Sequence, residues 1–189
     1  MKRITLLLVF IVCTVLLHAQ VFPGINAANK KKLLATGYSI PLPTYIPAGF
    51  KLDTIILANL RSGNNEEKTL LVRYEKKIND STYQSFHIDA GFDGLGSLWY
   101  KGETVNSAVG KIYMYYQPLE EAEAGQKPEP VMDLVGTEWF TVKGTAFHVF
   151  CILSEDYPPQ EGDEVEYYRY LPVSKAEFKK VLASLKILK

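Results

Sequence analysis

His87, Asp89, His148 and Cys151 are the residues of this chain best suited to acid–base, nucleophilic or metal chemistry. His87 and Asp89 stand two apart in an extended run, Thr82 to Asp89, so they face the same side of a strand. A serine brought beside them would complete an acyl-transfer triad. Ser97 follows Gly96 but lacks the G-x-S-x-G elbow that exposes such a nucleophile. A hydrolase using His87 or His148 is therefore an alternative function, not the expected one. His148 and Cys151 are three apart in an apparent strand and point to opposite faces, so one ion does not hold both. No metal site is expected. Asp89, Asp93 and Gly94 suggest a calcium loop only faintly, because Ala90, Gly91 and Phe92 between them bring no side-chain oxygen. Gly91, Gly94 and Gly96 are in the wrong order for a dinucleotide fingerprint, and no helix follows. The paired carboxylates of Glu120 to Glu123 and Glu161 to Glu166 lie in loops or at a strand edge, where solvated acid is the default. The chain is read as a non-enzyme with no cofactor.

Cys151 alternates with Phe147, Val149 and Leu153, the pattern of a buried thiol. The 12 tyrosines cluster. Tyr113 and Tyr115 share one strand, with Tyr116 beside them, and Tyr167 and Tyr170 share another, with Tyr168. Strand propensity explains most of this, and a ligand-facing surface for an apolar or carbohydrate ligand explains the rest. Tyr113, Tyr115, Tyr167 and Tyr170 are the candidate ligand-facing aromatics.

The elements that carry these residues are short. Asn26 caps a helix from Ala27 to Thr36, with Gly37 after its end. Three prolines between Ile40 and Gly49 forbid a helix there and end in a Pro47-Ala48-Gly49 turn. Phe50 to Leu60 reads as a strand with Phe50, Leu52, Ile56 and Leu60 on one face and Lys51, Asp53 and Asn59 on the other. Strands follow at Lys68 to Ile78, Thr82 to Asp89, Lys111 to Gln117, Gly136 to Val142, Thr145 to Leu153 and Glu164 to Leu171. Lys143-Gly144 turns a hairpin. Lys101-Gly102-Glu103 is read as a turn, and the glycine-rich Ala90 to Gly96 and the acidic Pro118 to Pro130 and Ser154 to Asp163 as loops. Ser174 with Glu177 forms a capping box, Val173 and Phe178 a hydrophobic staple, and Phe178, Val181, Leu182 and Leu185 one helical stripe. The expectation is an α+β fold: a single curved, largely antiparallel sheet of about seven strands, a short N-terminal helix, and a C-terminal amphipathic helix packed on one face.

The chain of 189 residues carries 21 basic and 21 acidic side chains and is 47% apolar. That composition is globular, and its charge balance argues against a nucleic-acid partner. Charge is uneven along the chain: residues 120–166 hold 12 acids against Lys127 and Lys143. Lys2 and Arg3, an apolar run from Ile4 to Leu17 and a small Ala19 form a secretory signal peptide over residues 1–19. Cleavage there removes Cys13 and His18 and leaves one thiol, Cys151, so no internal disulfide is expected. The 14-residue apolar run is short for a membrane span, and no transmembrane segment remains after cleavage. Residues 20–39 are then a lead-in with the short helix, and residues 40–189 the single α+β domain.

Pro43 to Phe50, PTYIPAGF, resembles the P-x-Y-x-P-x-G-F opening of an uncharacterised bacterial extracytoplasmic domain family found in envelope, anti-sigma and sporulation proteins. That family's ending resembles the hairpin holding Trp139 and the helix from Ser174 to Ala183-Ser184-Leu185. The resemblance spans about residues 40–188 and implies a curved antiparallel sheet loosely similar to lipoprotein-carrier half-barrels. It implies no catalytic residues. The expected protein is an exported, non-catalytic binding or sensing domain, periplasmic or extracellular. Its partner is a small molecule, a lipid or an envelope protein. The alternatives are a carrier of a lipid or other apolar ligand, and the hydrolase.

Overall fold

The computed structural model describes residues 21–62, 65–91, 102–117, 134–151 and 169–189. Two helices and mostly antiparallel strands make up these residues. The expected leader at residues 1–19, the acidic stretches expected as loops, Ser97 and Tyr167 lie outside them.

Helix α1, Ala27–Leu34, begins where Asn26 accepts the Asn29 amide at 2.8 Å, as its N-cap position predicts. Pro47 C=O then accepts from Phe50 N across a turn with Gly49 at φ +85°. Left-handed backbone at that third turn position is what glycine supplies. The strands follow as β1 (Pro41–Pro43), β2 (Lys51–Ser62), β3 (Asn65–Lys77), β4 (Thr82–Ala90), β5 (Gly102–Ser107), β6 (Gly110–Gln117), β7 (Leu134–Thr137), β8 (Phe140–Val142), β9 (Thr145–Phe150), β10 (Arg169–Leu171) and β11 (Leu185–Ile187). Helix α2, Lys175–Ala183, precedes β11.

The main sheet has nine strands in the order β2-β3-β4-β9-β7-β6-β5, with β8 paired to β9 and β10 paired parallel to β4. β1 and β11 form a separate antiparallel pair. The count exceeds the expected seven for local reasons. β5 occupies Gly102–Ser107, where the glycine suggested a turn. The Gly136 to Val142 strand is two, β7 and β8, broken where Glu138 N leaves the ladder to reach Tyr113 C=O at 3.0 Å. Leu185, read as the last residue of the helical stripe, lies on β11 after Ser184 has capped α2. β1 passed unnoticed because its ends are prolines, which an edge position tolerates. The Lys143-Gly144 hairpin forms as expected, with φ values of 47° and 86° that match a primed turn.

One face of the sheet is the core. Val72, Tyr74, Phe86, Ile88, Ile112, Met114, Phe147 and Val149 are buried there with Phe178, Val181 and Leu182 of α2. β2 departs from the expected facing. A bulge between Leu52 and Thr54 adds a residue, so Leu52 and Ile55 pack on the core while Ile56 is 51% exposed. Lys175 and Lys179 at the start of α2 both bridge Glu103 of β5, fixing the helix over that edge.

Two expected results check this core. Ser174 Oγ accepts the Glu177 amide at 3.3 Å, while the Glu177 carboxylate turns to Lys180 and Tyr45. Ser174→Ala then costs about 0.5–2 kcal/mol, read as a lowered urea midpoint. Cys151 is 2% exposed and free, and burial pushes its thiol up to about 12. It labels slowly with a thiol reagent until denaturant is added, and fast native labelling would contradict its burial.

Candidate functional site

Cross-strand register decides what the other face carries. Arg73 pairs with His87, Glu75 with Ser85, His87 with Phe150 and Asp89 with His148. Gly136 pairs with both Tyr115 and Phe150. Directly paired residues share a face, so these side chains all lie opposite the core. Four rings run across the sheet there. Trp139 stacks on His148 at 5.2 Å, His148 on Phe150 at 4.8 Å, and Phe150 meets His87 at 5.2 Å.

Tyr115 joins the end of this row because of a glycine. A Cβ at Gly136 would collide with the Tyr115 ring and hydroxyl, and one at Gly102 would come within 2.9 Å of the Tyr113 ring. Each tyrosine thus lies down over a neighbouring strand that has no side chain at that point. Tyr115 Oη reaches His148 Nε2 at 3.5 Å, the outer limit of a hydrogen bond.

The polar groups of this face are unusual in their partners. Ser85 Oγ, both ring nitrogens of His87 and Asp89 Oδ1 are buried, with no hydrogen-bond partner among the described residues. Buried polar atoms are nearly always paired, so four along one strand mark β4 out. Burial holds His87 down at about 4, with Arg73 adding to this and Asp53 opposing it. Burial also holds His148 at about 4, against a backbone hydrogen bond with Thr137, and pushes Asp89 up to about 6. Both imidazoles are therefore neutral at pH 7. Arg73 is engaged separately, with Nε donating to Asp53 Oδ2 at 2.6 Å.

The arrangement bears on each chemistry raised by the sequence. His87 and Asp89 share a face as their spacing predicts, yet Asp89 offers no hydrogen bond to either imidazole among the described residues. Phe150 stands between the two histidine rings and keeps them from a common ion. No group of three or more metal-ligating side chains occurs among the described residues. Of the four candidate tyrosines, Tyr113 and Tyr115 lie on this face beside the ring row. Tyr170 is at the far end of β4, tilted against Tyr83 at 5.9 Å. Tyr170 pairs with Tyr83 and so shares the face of Ser85 and His87, and Tyr167 lies outside the described residues. The sequence reading missed Trp139 and Phe150 as members of the site. Phe150 was legible, since it alternates with His148 on the side opposite Cys151. Trp139 was not, because only the break between β7 and β8 turns its ring onto His148.

No family model, curated protein or solved structure matches the chain. No helix among the described residues is long and apolar enough to cross a membrane.

Proposed function

We propose that this chain is an exported, non-catalytic envelope protein, a binding or sensing domain whose binding surface is the sheet face opposite α2. The observation that carries the reading is the row Trp139–His148–Phe150–His87 beside the unpartnered polar atoms of Ser85, His87 and Asp89. A face with rings at its rim and unsatisfied donors and acceptors beneath is suited to holding a ligand. Export rests on the charged, apolar and small-residue order of residues 1–19. The PTYIPAGF likeness to envelope domains points the same way.

The carrier reading has less behind it. It needs an apolar sheet face left open by the terminal helix, and here Phe178, Val181 and Leu182 of α2 pack against the apolar face. The hydrolase reading needs a base hydrogen-bonded to a nucleophile and an orienting acid. His87 has neither partner among the described residues.

A panel of ester, peptide and glycoside substrates tests the non-catalytic part. Wild type and the His87→Ala, His148→Ala double variant are expected to turn over none of them. Turnover in the wild type that disappears in a folded double variant would replace this reading with an enzyme.

A further inference from the structure

We propose that the cavity at the end of the β2–β3 pair binds a small zwitterion, one molecule carrying an ammonium and an anionic group a few atoms apart, with the ammonium on Glu75 and the anionic group on Lys51. Glu75 pairs with Ser85 and Arg73 with His87, so the cavity adjoins the ring row. The proposal therefore rests on the reading of that face as the binding surface and names a ligand class for its β2–β3 end.

The β2 bulge creates the site. Lys51 pairs with Glu75, Leu52 with Tyr74 and Thr54 with Arg73, which leaves Asp53 as the extra residue. Its carboxylate takes the Arg73 guanidinium, with Nε donating to Oδ2 at 2.6 Å. Arg73 then reaches Glu75 only at 4.0 Å, the outer limit of an ion pair. Lys51 is the direct cross-strand partner of Glu75, the position from which an opposite charge ordinarily pairs. No ion pair joins the two among the described residues. Both instead line a cavity of about 390 Å³, together with Gly49, Leu52, Asp53 and Lys77.

The charges select the ligand. The lining holds two cations, Lys51 and Lys77, and two anions, Asp53 and Glu75. Asp53 is answered by Arg73, and Lys77 by Asp80 at 2.8 Å. One ammonium and one carboxylate are left, those of Lys51 and Glu75. A simple cation at Glu75 meets Lys51 and Arg73 as like charges, and a simple anion at Lys51 meets Glu75 and Asp53. An uncharged ligand answers neither. A zwitterion answers both and adds no net charge to a balanced lining. Glu75 is the inner of the two, with its side chain 18% exposed, whereas Lys51 is exposed. Burial and the Asp53 charge raise the Glu75 carboxyl above its ordinary range, which Arg73 only partly offsets. An ammonium placed there makes a charge-assisted hydrogen bond with it. The volume is within the range of small-molecule sites, and Leu52 gives the cavity an apolar wall.

Isothermal titration with L-phenylalanine, L-leucine and glycerophosphoethanolamine tests this, beside phenethylamine and hydrocinnamate, which keep one charge each. The first two probes stand for a free amino acid and the third for a lipid headgroup, and binding of either kind supports the proposal. At least one zwitterion is expected to bind, about tenfold or more tightly than phenethylamine and hydrocinnamate. Lys51→Met and Glu75→Gln each weaken it about tenfold, and Lys186→Ala, on β11, leaves it unchanged. Lys51 is exposed, so its variant carries the test if Glu75→Gln does not fold. Phenethylamine or hydrocinnamate binding as tightly as the zwitterions would overturn the ligand class. Zwitterion binding indifferent to Lys51 and Glu75 that shifts the His87 or His148 imidazole signals would overturn the cavity and keep the binding face. Such binding with both imidazoles unmoved would overturn both. No binding by any probe would overturn the proposal and leave the face to its own test at the histidines.

Discussion

Replacing Phe178 with alanine lowers stability by about 3–5 kcal/mol, the range for deleting a fully buried aromatic ring. Phe178 is fully buried, at the fourth position of α2, in the same core cluster as Val173, itself 3% exposed. Val181 and Leu182 of the same helix have no exposure either and belong to the same core cluster. The urea midpoint falls accordingly, while Phe178→Leu, which keeps most of the volume, moves it far less. A midpoint unchanged in Phe178→Ala would mean that α2 is not docked on the sheet.

Acidification from pH 7 to pH 4 weakens the fold by about 3 kcal/mol through His87, His148 and Asp89. Each histidine titrates near 6.5 when unfolded and near 4 when folded. Between those values the unfolded chain binds two more protons at these sites, so stability falls as pH falls. Asp89 works in the opposite sense. Its folded value is about 6 against 3.8 unfolded, so the folded chain holds one extra proton in that window. The net is about one proton favouring the unfolded state from pH 6 down to pH 4. Glu103 and Glu177, held low by their lysine partners, add to the loss as they protonate at the acid end. A His87→Gln, His148→Gln variant keeps only the Asp89 titration in this window, so its stability no longer falls between pH 6 and pH 4 and instead rises slightly. A pH profile equal to that of the wild type would show that the histidines are not held neutral by burial.

Local chemistry made several elements legible in the sequence. Asn26, Ser174, Pro47-Ala48-Gly49 and Lys143-Gly144 act within a few residues, and each forms the cap or turn that its chemistry specifies. Alternation likewise placed Cys151 on the core side and His148 away from it. Features set by distant pairing were hidden. The bulge near Asp53 reverses which apolar residues of β2 face inward, and nothing in FKLDTIILANL marks where it falls. β1 and β11 exist only because Pro41–Pro43 and Leu185–Ile187 meet across almost the whole chain. The candidate site divides in the same way. His87 with Asp89 followed from spacing along one strand, whereas the ring row needs three separate segments and the β7–β8 break.

The most direct test of the binding face is the imidazole NMR spectrum of a chain beginning at Gln20. Residues 20–189 hold two histidines, His87 and His148, so the spectrum has two imidazoles, both on the face in question. The protein is titrated with the small-molecule fraction of its native envelope, and the methyl signals of Val181 and Leu182 serve as reference for the opposite face. The account predicts that one or both imidazoles shift in a saturable way while those methyls stay in place. Saturable shifts of the Val181 and Leu182 methyls with both imidazoles unmoved would contradict it.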